Sequence, residues 1–131
     1  MNIYYFAYGT NLNRKIFLKK FKDAKIKKKY YLKNFKVVFR TNYRVPDLQR
    51  DKNSKTPGLI YEINNDIIKK LDKYEDFPKL YIKKHFKYYR KKIMYYCLKK
   101  KFPIKYPSGY YFKIMKNGYR QNKFKFKIKK L

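Results

Sequence analysis

Apolar residues at the start of the chain change their spacing, and the change predicts a strand followed by a helix. Residues 3–8 form an almost unbroken aromatic run, which is typical of a buried strand. From Asn13, a good helix cap, apolar side chains at positions 17, 18 and 21 fall on one face of a helix. The polar turn at residues 9–12 therefore joins a strand to a helix that runs to about Phe21.

The next segment is predicted to contain one or two strands, a loop and a further short strand. Residues 30–41 carry apolar clusters that predict one strand or two short ones. Residues 46–57 are polar, begin and end with proline, and predict a surface loop. Residues 58–63 predict a short strand that returns to the core.

A second helix follows this strand and ends at an acidic residue. Asn64 and Asn65 can cap a helix from Asp66, and the apolar residues that follow give it one buried side. A proline at position 78 disfavours helix just before it, so the helix should end near Tyr74. Glu75 is therefore predicted to lie where the helix ends.

The last third of the chain predicts a hairpin, a helix and a terminal strand. Residues 81–86 and 88–98 form the predicted antiparallel hairpin, whose end is marked by three lysines. Residues 107–108 open a helix that Gly118 would end as a left-handed cap. Residues 123–131 alternate apolar side chains with lysine, as a strand with one wet face does.

Length and composition indicate one folded domain. The chain has 131 residues, which fits a single domain spanning residues 1–131. Hydrophobic residues make up 44% of the chain and aromatic residues 21%, so there is enough apolar side chain for a core and a disordered chain is excluded.

The net charge of +30 first suggests a nucleic-acid or anionic membrane partner. However, six arginines among 38 basic residues leave 32 lysines, and these are spread along the whole chain. We interpret the charge chiefly as solvated surface, with weak, salt-sensitive binding to polyanions as a side effect. The sequence does not fix the oligomeric state.

Cysteine and histidine offer no metal chemistry. Cys97 and His85 are each the only residue of their type, so neither a disulfide within the chain nor a cysteine-rich zinc site is predicted. Both are interpreted as structural. We find no apolar run of membrane-spanning length and no secretory signal, so the predicted location is the cytoplasm, without membrane association.

Two features could carry chemistry. The turn at residues 8–11 exposes backbone N–H groups that can hold an anion, although an ordinary strand-to-helix turn has the same pattern. The chain has two glutamates. Glu62 belongs to a strand and is predicted to face solvent or an ion-pair partner, whereas Glu75 is flanked by aromatic residues. From the residues alone, a surface carboxylate paired with a lysine is the favoured interpretation of Glu75, because charged residues are mostly solvated.

Three motifs in order along the chain resemble the gamma-glutamylcyclotransferase-like superfamily. The first is Tyr-Phe-Ala-Tyr-Gly-Thr-Asn-Leu at residues 5–12. The second is the strand, helix and acid at residues 58–75, followed by Pro78 and Tyr81. The third is the helix motif at residues 107–118. The resemblance covers most of the chain.

The resemblance implies an α+β fold: a small mixed, mostly antiparallel, β-barrel-like sheet flanked by short helices. It also implies an enzyme that cyclises a γ-glutamyl group to 5-oxoproline and releases an amine or amino acid, with Glu75 as general acid/base. No cofactor or metal is implied. The implied substrate-binding residues are Tyr5, Ala7, Tyr8, Gly9, Thr10, Asn11, Leu12 and Tyr111.

The sequence departs from the common family pattern at two positions. Thr10 stands in place of serine and keeps the hydroxyl, while Asp76 replaces a glycine and would raise the pKa of Glu75. The chain lacks tryptophan, which separates it from the glutathione-specific branch. The stretch at residues 75–81 resembles branches that act on γ-glutamyl amines or other γ-glutamyl conjugates. The alternative function is a binding module on the same fold, for a small ligand or a polyanion.

Overall fold

The computed structural model describes residues 2–126, which form six strands and three helices. The strands assemble into one curled, half-barrel sheet in the order β4-β5-β1-β3-β2-β6. The elements are β1 (Ile3–Ala7), α1 (Arg14–Lys20), β2 (Lys25–Arg40), β3 (Val45–Ile63), α2 (Asn65–Tyr74), β4 (Tyr81–Tyr88), β5 (Lys91–Leu98), β6 (Ile104–Lys105) and α3 (Gly109–Gln121), with a 3-10 turn at Thr10–Leu12 after β1.

The sheet is mixed and mostly antiparallel, as predicted. β1 lies in its middle, pairing antiparallel with β3 and parallel with β5. The β2–β3, β2–β6 and β4–β5 pairs are all antiparallel. β1 is buried between two neighbours, which explains its aromatic run, and the turn after β1 therefore emerges from the centre of the sheet.

Asparagine caps fix the starts of the first two helices. The Asn13 side chain accepts a hydrogen bond from the Ile16 N–H group at 3.2 Å, and Asn64 accepts one from Ile67 at 2.9 Å. Each cap satisfies one N–H group that the first helical turn leaves unpaired. The predicted helices are confirmed, and α2 ends at Tyr74, one residue before Glu75.

The prediction of a loop at residues 46–57 is wrong, because this stretch belongs to β3. Only residues 59–63 of β3 pair with β1, so the preceding part has β2 on one side alone. Proline is tolerated there because its missing N–H group faces no partner strand. The polar side chains of residues 49–55 are exposed or partly exposed, whereas Asp47 and Thr56 are buried. Residues 51–54 lie opposite Asn34 alone, where the β2–β3 register shifts.

Two predictions for the end of the chain also change. Gly118 does not end a helix but lies inside α3, where any Cβ atom would collide with Leu12. It therefore allows α3 to pack closely against the 3-10 turn. The predicted strand at 123–131 is not formed by residues 123–126, and its remainder lies outside the described residues. The β4–β5 hairpin is confirmed, with its turn at Tyr89 and Arg90.

The core fills the space between the sheet and the helices. The largest fully buried side chains are Tyr61, Phe6, Phe17, Phe39, Leu12, Leu59, Ile63, Leu71, Ile93, Leu98, Met115 and Thr56.

Within the described part of the chain, no helix is long and apolar enough to cross a membrane.

Candidate active site

A cavity of about 200 Å³ opens where β1, α2, β4 and α3 approach one another. Seven of its fourteen described lining residues are aromatic, and Glu75 is the one lining residue with a carboxyl group or a basic side chain. Ligand pockets for drug-sized molecules are typically about 300–1,000 Å³, so this cavity suits a smaller group. The lining residues are Tyr5, Phe6, Tyr8, Gly9, Thr10, Asn11, Val45, Pro46, Tyr74, Glu75, Leu80, Tyr81, Tyr96 and Tyr111.

One wall of the cavity is the turn that follows β1. The Leu12 N–H group donates to the Gly9 carbonyl at 3.2 Å, and this bond closes the turn. The N–H groups of Thr10 and Asn11 precede the first bonded donor, so they have no partner within the turn itself. Gly9 is needed because a Cβ atom there would lie 2.9 Å from Pro46 Cγ on β3.

Hydrogen bonds hold this turn in a fixed shape. The Asn11 amide donates to the Tyr5 hydroxyl at 2.9 Å, and the Tyr61 hydroxyl donates to the Asn11 carbonyl at 2.8 Å. Both tyrosines belong to the central strands, so the turn is fastened to the most buried part of the sheet. A ligand would therefore meet donors that are already in place.

Glu75 lines the same cavity from the end of α2. Its N–H group donates to the Leu71 carbonyl at 2.8 Å, which fixes the backbone, and its side chain is partly buried among aromatic rings. Within residues 2–126 the carboxylate has no ion-pair or hydrogen-bond partner. Burial raises the pKa of Glu75 to about 7, and the positive charge of Lys20 opposes this shift.

Asp76 does not explain the raised pKa of Glu75. Its side chain is exposed, and burial accounts for the shift at Glu75. Asp76 instead adopts a left-handed backbone conformation, with φ of 51°, at the position where the family commonly has glycine. Aspartate tolerates this region better than most residues, so Asp76 is compatible with this backbone conformation.

Neutral tyrosines complete the cavity. Burial raises the pKa of Tyr8 and of Tyr81 well above the usual value, so both remain protonated at neutral pH. The Tyr8 hydroxyl donates to the Tyr96 carbonyl at 2.6 Å, and the Tyr81 hydroxyl donates to the Pro46 carbonyl at 3.0 Å. These bonds connect the cavity wall to β5 and β3.

Asp72, one turn before Glu75, anchors α2 to the hairpin. It accepts a hydrogen bond from the Tyr96 hydroxyl at 2.5 Å, and Lys83 Nζ lies 3.0 Å from its carboxylate. Glu62, the other glutamate, pairs with Lys27 at 3.5 Å, in agreement with the prediction of an ion-paired strand residue.

The structure brings most of the predicted site residues to one cavity. Ala7 and Leu12 are exceptions, because they are almost fully buried in the core and do not line it. The predicted residues that line the cavity are Glu75, Tyr5, Tyr8, Gly9, Thr10, Asn11 and Tyr111.

Sequence reasoning missed much of the remaining wall. Tyr96 lies in a continuous apolar run, and only the pairing of β5 with β1 shows which of its residues face the cavity. Pro46 lines the cavity from β3, where the sequence predicts a surface loop. Among residues 2–126, no group of three or more histidine, cysteine, aspartate or glutamate side chains could hold a metal ion, and Cys97 is buried.

Solved structures with similar folds place this architecture in a known class. A gamma-glutamyl cyclotransferase superposes with a TM-score of 0.79 at 18% identity, covering 95% of this chain and 82% of the other. An uncharacterised protein from Homo sapiens gives 0.78 at 19% identity, with the same coverage of 95% and 82%. An AIG2-like protein from Mus musculus gives 0.61 at 20% identity, covering 78% of this chain and 80% of the other. At these identities the likeness shows the fold.

The sequence itself identifies the family. Residues 5–113 match the family described as gamma-glutamyl cyclotransferase, AIG2-like. The chain therefore belongs to this family, as the three motifs predicted. Among curated proteins, none matches the chain in sequence.

Proposed function

We propose that the protein is a γ-glutamyl cyclotransferase that converts a γ-glutamyl conjugate to 5-oxoproline and a free amine or amino acid. The observation that carries the proposal is Glu75: a partly buried carboxyl group without a partner among the described residues, with a pKa near 7, in a small cavity that the turn after β1 also lines. Membership of the family supports the same class of reaction.

In the proposed reaction the α-amine nitrogen attacks the γ-carbonyl carbon of the same molecule. One C–N bond forms to close a five-membered ring, and the C–N bond to the leaving group breaks. Because both reacting groups belong to one molecule, the protein needs mainly to fold the substrate and to move protons.

Glu75 performs the proton transfers in this proposal. The substrate ammonium begins with three protons, and the ring nitrogen keeps one of them. Glu75 as a carboxylate takes one proton from the α-nitrogen and delivers it to the departing nitrogen. The third proton of the substrate ammonium also ends on the departing nitrogen, so the released amine carries the ammonium charge. A pKa of about 7 means that both forms of Glu75 are populated at neutral pH.

The turn after β1 holds the substrate in place. The N–H groups of Thr10 and Asn11 are suitable donors for the α-carboxylate, or for the negative charge that develops on the γ-carbonyl oxygen. Tyr111 lies in the same cavity and can contact the glutamyl group. The leaving group is expected to lie toward the apolar side formed by Val45, Pro46 and Leu80.

The test measures 5-oxoproline released from a panel of γ-glutamyl amines and γ-glutamyl amino acids. Glu75→Gln removes the proton-transfer group with little change in size, and we expect kcat/KM to fall about 10²–10⁴-fold. Glu62→Gln is the matched control because it removes the other glutamate, which lies outside the cavity.

We expect the control to keep nearly the activity of the natural sequence. Equal activity of the Glu75→Gln variant and the natural protein would exclude Glu75 as the acid/base. If the natural protein releases no 5-oxoproline from any member of the panel, the alternative of a small-ligand binding module on the same fold would replace the enzyme.

A further inference from the structure

A second cavity, of about 600 Å³, shares no lining residue with the first. β5 separates the two, because Tyr96 faces the first cavity while its neighbours Tyr95 and Cys97 face the second. Adjacent residues of a strand point to opposite sides of a sheet. The second cavity thus lies on the other side of β5, and the proposed reaction makes no use of it.

Four basic side chains line the second cavity: Arg40, Arg50, Lys84 and Lys101. The described lining contains no acidic residue. Burial and nearby lysines lower the pKa of His85, which also lines the cavity and adds no charge at neutral pH.

Asp47 compensates only part of this charge. Its buried carboxylate lies 3.0 Å from Arg40 Nε and 2.9 Å from Lys101 Nζ. Among residues 2–126, neither Arg50 nor Lys84 has a carboxylate within ion-pair distance. Four cations and one carboxylate leave three positive charges around one concave surface.

This basic cavity is built on a fixed framework. Arg40 is buried, donates to the Phe102 carbonyl at 2.6 Å and also contacts the Gln49 side chain. The Arg50 guanidinium lies 5.3 Å from the centre of the Phe35 ring, which limits its orientations. Arginine is scarce in this chain, yet two of the six arginines lie here.

We propose that this second cavity binds an oligophosphate group, carried either by a nucleoside triphosphate or by free tripolyphosphate. A triphosphate carries three to four negative charges, which matches the uncompensated charge of the cavity. Guanidinium and ammonium groups are the side chains that form the strongest hydrogen bonds to phosphate oxygens. The concave shape favours a small molecule over an extended nucleic acid.

Calorimetric titration at physiological salt tests this proposal with tripolyphosphate, ATP and adenosine as separate ligands. The pocket variant combines Arg50→Gln with Lys84→Gln, and the control combines Lys69→Gln with Lys70→Gln on the exposed side of α2. Both variants remove two exposed positive charges and are therefore matched in net charge. Thermal unfolding temperatures equal to that of the natural protein would show that both variants retain the fold.

We expect saturable binding of tripolyphosphate and ATP, weakened about tenfold or more in the pocket variant and less than about twofold in the control. Glu75→Gln should bind ATP as the natural protein does, so this result is independent of the proposed cyclotransferase activity. Equal weakening in both double variants, or no saturable binding, would overturn the proposal. So would single-stranded RNA binding more tightly than ATP and unaffected by the pocket variant.

Discussion

Asp47 and Glu75 are two carboxylates that the same small fold removes from solvent to different extents, and they differ in their partners. Asp47 is fully buried and has three partners: Arg40, Lys101 and the Leu98 N–H group, which donates to it at 2.9 Å. Glu75 is partly buried and has no hydrogen-bond or ion-pair partner among residues 2–126. The first carboxylate is fully hydrogen-bonded, whereas the second is left free to exchange a proton.

The contrast shows how partners separate a structural acid from a reactive one. A buried charge is tolerated when cations and N–H groups surround it, and removing one partner is then costly. A sheltered carboxyl group without partners is instead easier to protonate, which raises its pKa into the range useful for catalysis. Asp72 has two partners, Tyr96 and Lys83, which is fewer than Asp47 and more than Glu75.

The largest effect on stability is expected for Asp47→Asn. This change leaves the buried Arg40 guanidinium without its carboxylate, and we expect the free energy of unfolding to fall by about 3–5 kcal/mol. Urea denaturation measures the change. Asp23→Asn, at an exposed position, is the control and should change stability by less than about 0.5 kcal/mol. Similar losses in both variants would show that the Asp47 cluster has no special role.

Glu75→Gln should have the opposite effect and stabilise the protein above neutral pH. The pKa of Glu75 is about 7 in the folded protein against 4.5 ordinarily, so between these values the folded state binds more protons. Stability of the natural protein therefore falls as pH rises from 4.5 to 7. We expect Glu75→Gln to be about 1–3 kcal/mol more stable at pH 8 and no more stable at pH 4.

Denaturation curves at pH 4 and pH 8 measure this difference. The Glu62→Gln variant, which loses a surface ion pair with Lys27, provides the comparison. If the stability difference between the natural protein and Glu75→Gln stayed constant with pH, Glu75 would not be a partly buried carboxyl group with a raised pKa.

For Tyr96→Phe we expect the free energy of unfolding to fall by less than in Asp47→Asn. The change removes the hydroxyl that donates to Asp72 at 2.5 Å but leaves Lys83 beside the carboxylate. Hydrogen bonds to charged groups contribute about 1.5–3 kcal/mol, and the remaining partner should keep the loss near the lower end. Urea denaturation of Tyr96→Phe and of Lys83→Gln would show which partner of Asp72 contributes more to stability. No loss of stability in either variant would contradict a structural role for Asp72.

The smallest effect is expected for Lys20→Gln. Lys20 lowers the pKa of Glu75, so removing its charge should raise that pKa further. The reaction needs the carboxylate to accept a proton, so activity rises as Glu75 loses its proton. The midpoint of this rise should lie at a higher pH in Lys20→Gln than in the natural protein. The pH profile of kcat/KM measures the shift, and movement toward lower pH would contradict the proposed electrostatics.

The sequence predicted the local elements better than their long-range arrangement. Asparagine caps, the aromatic first strand and Pro78 gave the helices and β1, because those signals act over a few residues. The extent of β3 is not predicted because residues 49–55 are polar and largely exposed, while the strand pairs with β2, which is distant in sequence. Polar composition alone cannot distinguish such a ribbon from a loop.

The same limit applies to the site. Glu75 and the turn after β1 were found through short motifs, and the cavity contains both. Asp47 lay inside the predicted loop, so its burial and its three partners could not be foreseen. Its partners Arg40, Leu98 and Lys101 come together only when β2, β3 and the end of β5 are assembled.

The proposed reaction depends on the protonation of Glu75, and carbon NMR of the glutamate carboxyl groups measures this protonation directly. The chain contains only Glu62 and Glu75, so labelled glutamate gives two signals, and the Glu75→Gln variant assigns them. We predict that the signal missing from this variant titrates with a midpoint of about 7 in the natural protein. A midpoint near the ordinary value of 4.5 would contradict a role for Glu75 as acid/base at neutral pH.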